Sequence, residues 1–307
     1  MDSALVFTQL LNGLQLGVLL FLVAAGLTLI FGVMDFINLA HGALYMVGAF
    51  FCASATLWLD SFVLGIVIAL PATFLVGFAL DFLVIRFLYE RDHLDQVLAT
   101  FGLILVFDTL TQMIWGAAGL TFPLPTVLNG RIGLFGITEF PVYRLLIIAV
   151  GLLVAAALYF IIVHTRIGMR VRAGASNRTM IGALGINIPK LFRFVFATGA
   201  MLAGLAGMMI APITEASVGM GSEILLVAFV VIIIGGIGSI RGAFIGALIV
   251  GLIDTMGRSF LDDLMKLFVS NQVAETSAPA ISAMLIYILM AGILYFRPQG
   301  LFPPKGR

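Results

Sequence analysis

The sequence predicts an all-α, polytopic membrane protein of about eight or nine transmembrane segments, two of them joined through a glycine-rich break. Three observations carry that prediction. Of 307 residues, 62% are hydrophobic and only 10% charged, and the mean hydropathy is +1.19, far from the balance of a water-soluble domain. Apolar runs recur at the length of roughly 20 residues that a helix needs to cross hydrocarbon. Between them, His164–Arg193 carries Arg166, Arg170, Arg172, Arg178, Lys190 and Arg193 with no acidic residue. A short loop so loaded stays on the side where the chain is made, so it is expected to face the cytoplasm.

The chain opens Met1-Asp2-Ser3, without the basic segment and short apolar core of a cleaved signal, and its first helix is read as retained. The first span is placed at 11–33 and the second at 39–58. At the second, Asn38-Leu39-Ala40-His41-Gly42 lets Asn38 cap the helix while His41, one turn on, shares its face. The pair is either a structural helix start or part of a gate in the translocation path. Spans follow at 62–86 and 96–116. Asp108, deep in the latter and beside Thr109, Thr111 and Gln112, is either a satisfied interhelical contact or a relay on the path. Asp81 precedes Arg86 by five residues and Asp254 precedes Arg258 by four, a spacing at which helical ion pairs form.

A span at 142–163 leads into the basic loop, and one at 194–213 leads out of it. The run Ile224–Ile234 then breaks at Gly235-Gly236-Ile237-Gly238-Ser239-Ile240-Arg241-Gly242 and resumes at Ala243–Ile253, each half reading as too short for a straight crossing. Non-helical backbone at membrane depth is buried in protein or lines a wet cavity, which makes Gly235, Gly236, Gly238 and Ser239 candidates for the path. The competing reading is packing, because Gly238, Gly242 and Gly246 recur every four residues, as do Gly199, Ala203, Gly207 and Ala211. The last span, 278–296, stops at Arg297-Pro298.

Counting crossings from the basic loop places the N-terminus, with Asp2, outside. The C-terminal tail, with Arg297, Lys305 and Arg307, falls in the cytoplasm if the broken region makes an even number of crossings. Arg131 and Arg144 then lie outside, exceptions that a statistical bias permits. No linker divides the spans, so residues 1–307 read as a single transmembrane domain with 164–193 as a cytoplasmic loop within it.

Several functions are disfavoured. A net charge of +1 gives no sign of a nucleic-acid partner, and the lone Cys52 sits in an apolar run as a small buried hydrophobe. His41, His93 and His164 lie in separate segments, and neither His-Glu-x-x-His nor Cys-x-x-Cys occurs, so no metal site is signalled. Of the lysines, Lys190, Lys266 and Lys305, none completes a phosphate-binding loop. Uphill transport would therefore draw on an ion gradient or on another subunit, and no constellation supports an enzyme.

Asn38-Leu39-Ala40-His41-Gly42, Ala228-Phe229 followed by Gly235-Gly236-Ile237-Gly238-Ser239, and Arg297-Pro298-Gln299-Gly300-Leu301-Phe302 together resemble the membrane subunits of branched-chain amino acid ABC transporters. The length resembles the shorter, H-type permease. The resemblance implies a multi-pass permease of the bacterial inner membrane that works with a second, non-identical permease chain, two cytoplasmic ATPases and a periplasmic solute-binding protein. ATP would be used by the partners, with no cofactor held by this chain. It also implies an ATPase-coupling segment, mapped here to Arg166, Gly168, Arg170 and Ala173 and, later in the loop, Gly182, Gly185 and Ile186. The bland alternative is that these arginines anchor the loop at anionic membrane lipid. Two departures stand out: Val227 where many members have Lys, and Ile240-Arg241-Gly242 where many have Ile-Pro-Gly. Related permeases carry amides, urea or aromatic acids, which remain alternatives to branched-chain or related amino acids, as does a stand-alone ion-coupled carrier centred on Asp108.

Overall fold

The computed structural model describes residues 3–303 apart from 135 and 137. Asp2, Lys305 and Arg307, used above to argue sidedness, lie outside the described residues. The chain runs α1 (Ser3–Met34), α2 (His41–Leu59), α3 (Phe62–Leu83) and a one-turn 3-10 helix (Ile85–Phe87), then α4 (His93–Trp115) and α5 (Val142–His164). Two short helices follow, α6 (Arg166–Ser176) and α7 (Arg178–Ala183), before α8 (Ile188–Thr214), α9 (Met220–Gly235), α10 (Ile240–Met265) and α11 (Asn271–Phe296). A small antiparallel hairpin, β1 (Arg131–Leu134) and β2 (Thr138–Pro141), lies between α4 and α5, with Arg131 opposite Pro141.

Eight of these helices are long and apolar enough to cross a membrane, and α9 is a shorter apolar helix. Helices that are apolar all round are either sheathed by protein or face lipid. Both kinds occur: 83% and 78% of the most apolar stretches of α1 and α8 are buried, against 17% and 11% for α4 and α11. The first two form the centre of the bundle and the last two its rim.

The centre is closed by glycine. A Cβ on Gly48 of α2 would strike the Gly204 backbone of α8, and one on Gly42 would strike Gly221 of α9. One on Gly17 of α1 would lie 2.9 Å from Leu248 Cα of α10. Without lipid exclusion to drive them together, helices gain most from such close main-chain approach. Gly199 meets Gly26 and Ile30 of α1, and Gly207 meets the Tyr45 carbonyl, so these members of the α8 small-residue stripe sit in helix contacts.

The glycine break corrects the sequence reading in two ways. First, α10 has 26 residues and is long enough to cross, so only α9, at 16 residues, is short. The apolar run looked truncated because Asp254, Arg258 and Asp262 make the second half of α10 polar, while its backbone stays helical. Second, the break is a tight turn at one end of the bundle. Gly236 (φ +106°) and Gly238 (φ +85°) adopt left-handed conformations that favour glycine, and the Ser239 hydroxyl caps α10 by accepting from the Gly242 N–H at 3.1 Å. The Leu301 and Phe302 N–H groups donate to the Ile234 and Gly235 carbonyls, both at 2.9 Å, sealing the turn with the C-terminal segment. Gly242 and Gly246 lie against Gly235 and Val231, a close antiparallel fit of α9 and α10.

Irregular backbone inside the bundle occurs elsewhere, between α1 and α2. His41 Nε2 lies 3.1 Å from the Val23 carbonyl, and Val23 precedes Met34, the last residue of α1, by eleven positions. The α1–α2 connection therefore folds back by about 16 Å, at 1.5 Å per helical residue. Its backbone is satisfied by α4: the Ile37 N–H donates to Gln96 Oε1 and the Leu39 N–H to Thr100 Oγ1, each at 3.2 Å. Asn38 does not cap α2. Ala40 holds the capping position, Asn38 lies too early for its side chain to reach the first turn, and neither of its buried amide atoms has a hydrogen-bonding partner among the described residues.

Candidate functional site

The basic loop is built from three caps in succession. Thr165 Oγ1 accepts from the Gly168 N–H at 3.2 Å, Asn177 Oδ1 from Met180 at 2.9 Å and Asn187 Oδ1 from Lys190 at 3.0 Å. Each starts a helix, so the segment is a chain of short rods, α6 and α7, leading without slack into α8. On α6, Gly168, Val171 and Gly174 are buried while Arg166, Arg170 and Arg172 are exposed. Gly168 has no room for a Cβ beneath the Ile161 and Ile162 carbonyls. Ala173 is half-buried, Gly182 and Gly185 are exposed, and Gly185 turns the chain at φ +84°. A groove of about 390 Å³ runs along this face, lined by Ile167, Arg170, Gly185, Ile186 and Lys190 among others. Of the coupling residues read from the sequence, Arg170, Gly185 and Ile186 line this groove; Arg166, Ala173 and Gly182 lie on the same short helices outside its lining, Gly168 is buried beneath α5, and Ile167, Met169, Met180 and Leu184 are exposed beside the charges.

Arg193 is not part of that surface. Its Nε donates to Asp81 Oδ2 at 3.2 Å, joining α8 to α3, and its guanidinium lies 4.8 Å from the Phe82 ring centroid. Tyr89 donates to the other oxygen of the buried Asp81. Arg86, noted in the sequence five residues after Asp81, lies beyond the end of α3 at Leu83 and stacks on Phe82 and Phe87, so the ion-pair partner of Asp81 is Arg193.

α8 carries the chain from this end to the opposite one, where a cavity of about 460 Å³ opens. Leu16 and Leu20 of α1, Ile224 and Val227 of α9 and Ile286 of α11 give it apolar walls. Its polar lining is Tyr45, Glu215, Glu223, Asp254, Arg258 and Tyr287, with Thr214 and Ser217 at the α8–α9 connection. Glu215 terminates α8 at φ +96°, a costly conformation for a non-glycine residue, and its neighbour Ala216 is paired with Leu120 by two backbone hydrogen bonds of 2.8 and 3.0 Å. On α10, Arg258 Nε meets Asp254 Oδ2 at 2.9 Å, the ion pair expected from the sequence. About two turns further, Lys266 meets Asp262 at 2.7 Å and Glu275 at 3.1 Å. Those hydrogen bonds, chiefly the one donated to Asp262, hold the Lys266 ammonium above the usual lysine range, so it stays charged at physiological pH. A pocket of about 360 Å³ beside this ladder shares Arg258 with the cavity.

The path candidates read from the sequence do not come together here. Gly235, Gly236, Gly238 and Ser239 form the turn at the far end, and Asn38 and His41 are fully buried at the α1–α2 connection. Asp108 is half-buried on rim helix α4 and is in no ion pair among the described residues. Of the residues singled out above, Val227 and the Asp254–Arg258 pair line the cavity. Glu215 and Glu223 were missed; the available signal was the acidic residues flanking an apolar run too short to cross.

The family model described as the permease component of branched-chain amino acid transport systems matches residues 9–294. The high-affinity branched-chain amino acid transport system permease protein BraD of Pseudomonas aeruginosa is 28% identical, covering 95% of this chain and 94% of its own. LivH of Escherichia coli, named as the same kind of permease, is 27% identical over 93% and 94% of the two chains. The ribose import permease protein RbsC of Haemophilus influenzae is 32% identical, but over only 33% of this chain and 34% of its own. No solved structure matches. A match of this extent, on a chain with eight helices long and apolar enough to cross a membrane, shows that the chain is a membrane permease subunit belonging to the branched-chain amino acid transport system permease family.

Proposed function

We propose that this chain forms one side of the path by which an ABC importer moves branched-chain or related amino acids across the bacterial inner membrane. In this reading it works beside a second, non-identical permease, with ATPases docked on α6 and α7 and a periplasmic binding protein delivering solute to the cavity. The observation that carries it is the placement of an amphipathic cavity at the end of the bundle opposite the basic helices. By the positive-inside rule the basic end is cytoplasmic, so the cavity faces the outer side. Its apolar walls suit a branched aliphatic side chain and its charges suit an α-amino acid backbone.

The same arrangement gives the coupling a route. Asn187 caps α8 directly after the basic helices, and α8 ends at Glu215 on the cavity rim. With 27 residues it is a rod of about 40 Å. Displacement of α6 and α7 by closing ATPases therefore moves the cavity wall, which is rigid-body gating of an alternating-access kind.

The test is solute uptake into vesicles carrying this chain with its partners, with and without binding protein and ATP. The panel is leucine, isoleucine and valine, then aliphatic amides, urea and aromatic acids. Uptake of the branched-chain amino acids that needs both ATP and binding protein is expected, and Asp108→Asn should retain it. Uptake by this chain alone, driven by an imposed ion gradient and lost in Asp108→Asn, would overturn the proposal in favour of a secondary carrier.

A further inference from the structure

Among the described residues Arg258 is the sole cation lining the cavity, where carboxylates from Glu215, Glu223 and Asp254 outnumber it three to one. Its partner Asp254 is mostly covered, with 14% of its side chain exposed, whereas the Arg258 side chain is 61% exposed. The pair is joined through Nε at 2.9 Å, and Arg258 makes no other hydrogen bond among the described residues. The fork of its two terminal nitrogens is therefore unused, and that fork matches a carboxylate in two parallel hydrogen bonds. Glu223, in the first turn of α9, supplies acceptor oxygens to the same cavity, with Ile224 and Val227 beside it.

Resting on the reading of this cavity as part of an amino-acid path, we propose that Asp254 and Arg258 form a zwitterion-exchange site within the permease itself. An arriving α-amino acid places its carboxylate on the Arg258 fork and releases Asp254. Asp254 and Glu223 then hold the ammonium, while the side chain lies against the Leu16, Ile224 and Val227 wall. Every charge that loses a partner in this exchange gains one. A lone carboxylate takes the Arg258 fork but leaves Asp254 without a partner, a lone ammonium meets only the carboxylates and leaves the fork unused, and an uncharged solute has nothing to exchange. The site selects the amino-acid backbone and leaves side-chain choice to the apolar wall. Further out on α10, Asp262 and Lys266 continue the alternation at the same four-residue spacing, offering weaker sites of both signs along the approach.

The experiment uses the assembled permease–ATPase complex without binding protein, reading the solute-dependent shift in thermal unfolding midpoint. The probes are L-leucine, 3-methylbutylamine, which lacks the carboxylate, and 4-methylpentanoate, which lacks the ammonium. Wild type should respond to leucine at concentrations at least tenfold lower than to either analogue. Arg258→Gln should lose that advantage, and Arg258→Lys should keep part of it. Asp254→Asn frees the guanidinium and should raise the response to 4-methylpentanoate toward that of leucine, a gain that mere structural damage does not produce. If Arg258→Gln fails to assemble, the other two variants decide. Equal responses of wild type to all three probes, or an unchanged preference in the variants, would overturn the site. Leucine uptake in the full system separates the two levels. Uptake that persists at wild-type rates in Arg258→Gln overturns the site alone. A wild-type system that imports another solute and no leucine overturns the cargo reading and the site with it.

Discussion

Asp81 is a carboxylate with no exposed surface near the end of a lipid-facing helix, and it is tolerated because Arg193 and Tyr89 meet its two oxygens. Removing one member of a buried pair leaves the other charge uncompensated, at a cost of about 3–5 kcal/mol. Arg193→Gln should therefore lower the thermal midpoint of the purified complex markedly, and Asp81→Asn on the same background should recover part of the loss. Equal stability of wild type and Arg193→Gln would show that the pair is not formed. The contrast with Asp254–Arg258 explains what was legible at this scale. Spacing along one helix reveals a pair at four residues, whereas Asp81 and Arg193 are 112 residues apart and meet only once α3 and α8 pack. Asn38 and His41 were legible as unusual polar residues, but the depth at which they sit follows from the folding back of the α1–α2 connection, which leaves no local pattern.

At the scale of helices and turns, the spans and the basic loop could be read from composition, since apolar length is what the membrane demands. The length of α10 could not, because a helix lined by Asp254, Arg258 and Asp262 is continuous in backbone and interrupted in hydropathy. The β1–β2 hairpin also escaped, being four residues a strand and too short for an alternating pattern to register. Small-residue stripes were legible as packing surfaces, and the contacts now rank them. Gly48→Ala meets the Gly204 backbone, where neither side can give, and overpacking of this kind costs about 1–3 kcal/mol. Gly102→Ala on α4 meets nothing within 4 Å, and helix propensity should make it neutral or stabilising by about 0.5–1 kcal/mol. Thermal denaturation of the two variants in one lipid composition checks the difference, and equal midpoints would refute the packing assigned to α2 and α8.

For the whole molecule, motif order indicated the family and the absence of a phosphate loop pointed to an external energy source, yet the cavity was invisible. Its lining comes from α1, α2, α9, α10, α11 and the end of α8, and such convergence is a property of topology that periodicity along one helix does not encode. Coupling is testable at this scale. Gly185 turns the chain at a positive φ on the exposed basic face, so Gly185→Val should strain the turn between α7 and α8 while leaving the membrane helices intact. The expected outcome is a complex that assembles and hydrolyses ATP but transports little; transport per ATP at the wild-type ratio would count against coupling through this turn. The glycine contacts at the centre bear on how such a stroke is spent. Where α2 meets α8 main chain to main chain, at Gly48 and Gly204, no side chain remains to rotate aside and absorb displacement. The joint behaves like a meshed gear with no backlash. A displacement delivered to α8 would reach α2 with little side-chain slack at this seam to absorb it, so the geometry of the seam would bear on the travel at the cavity.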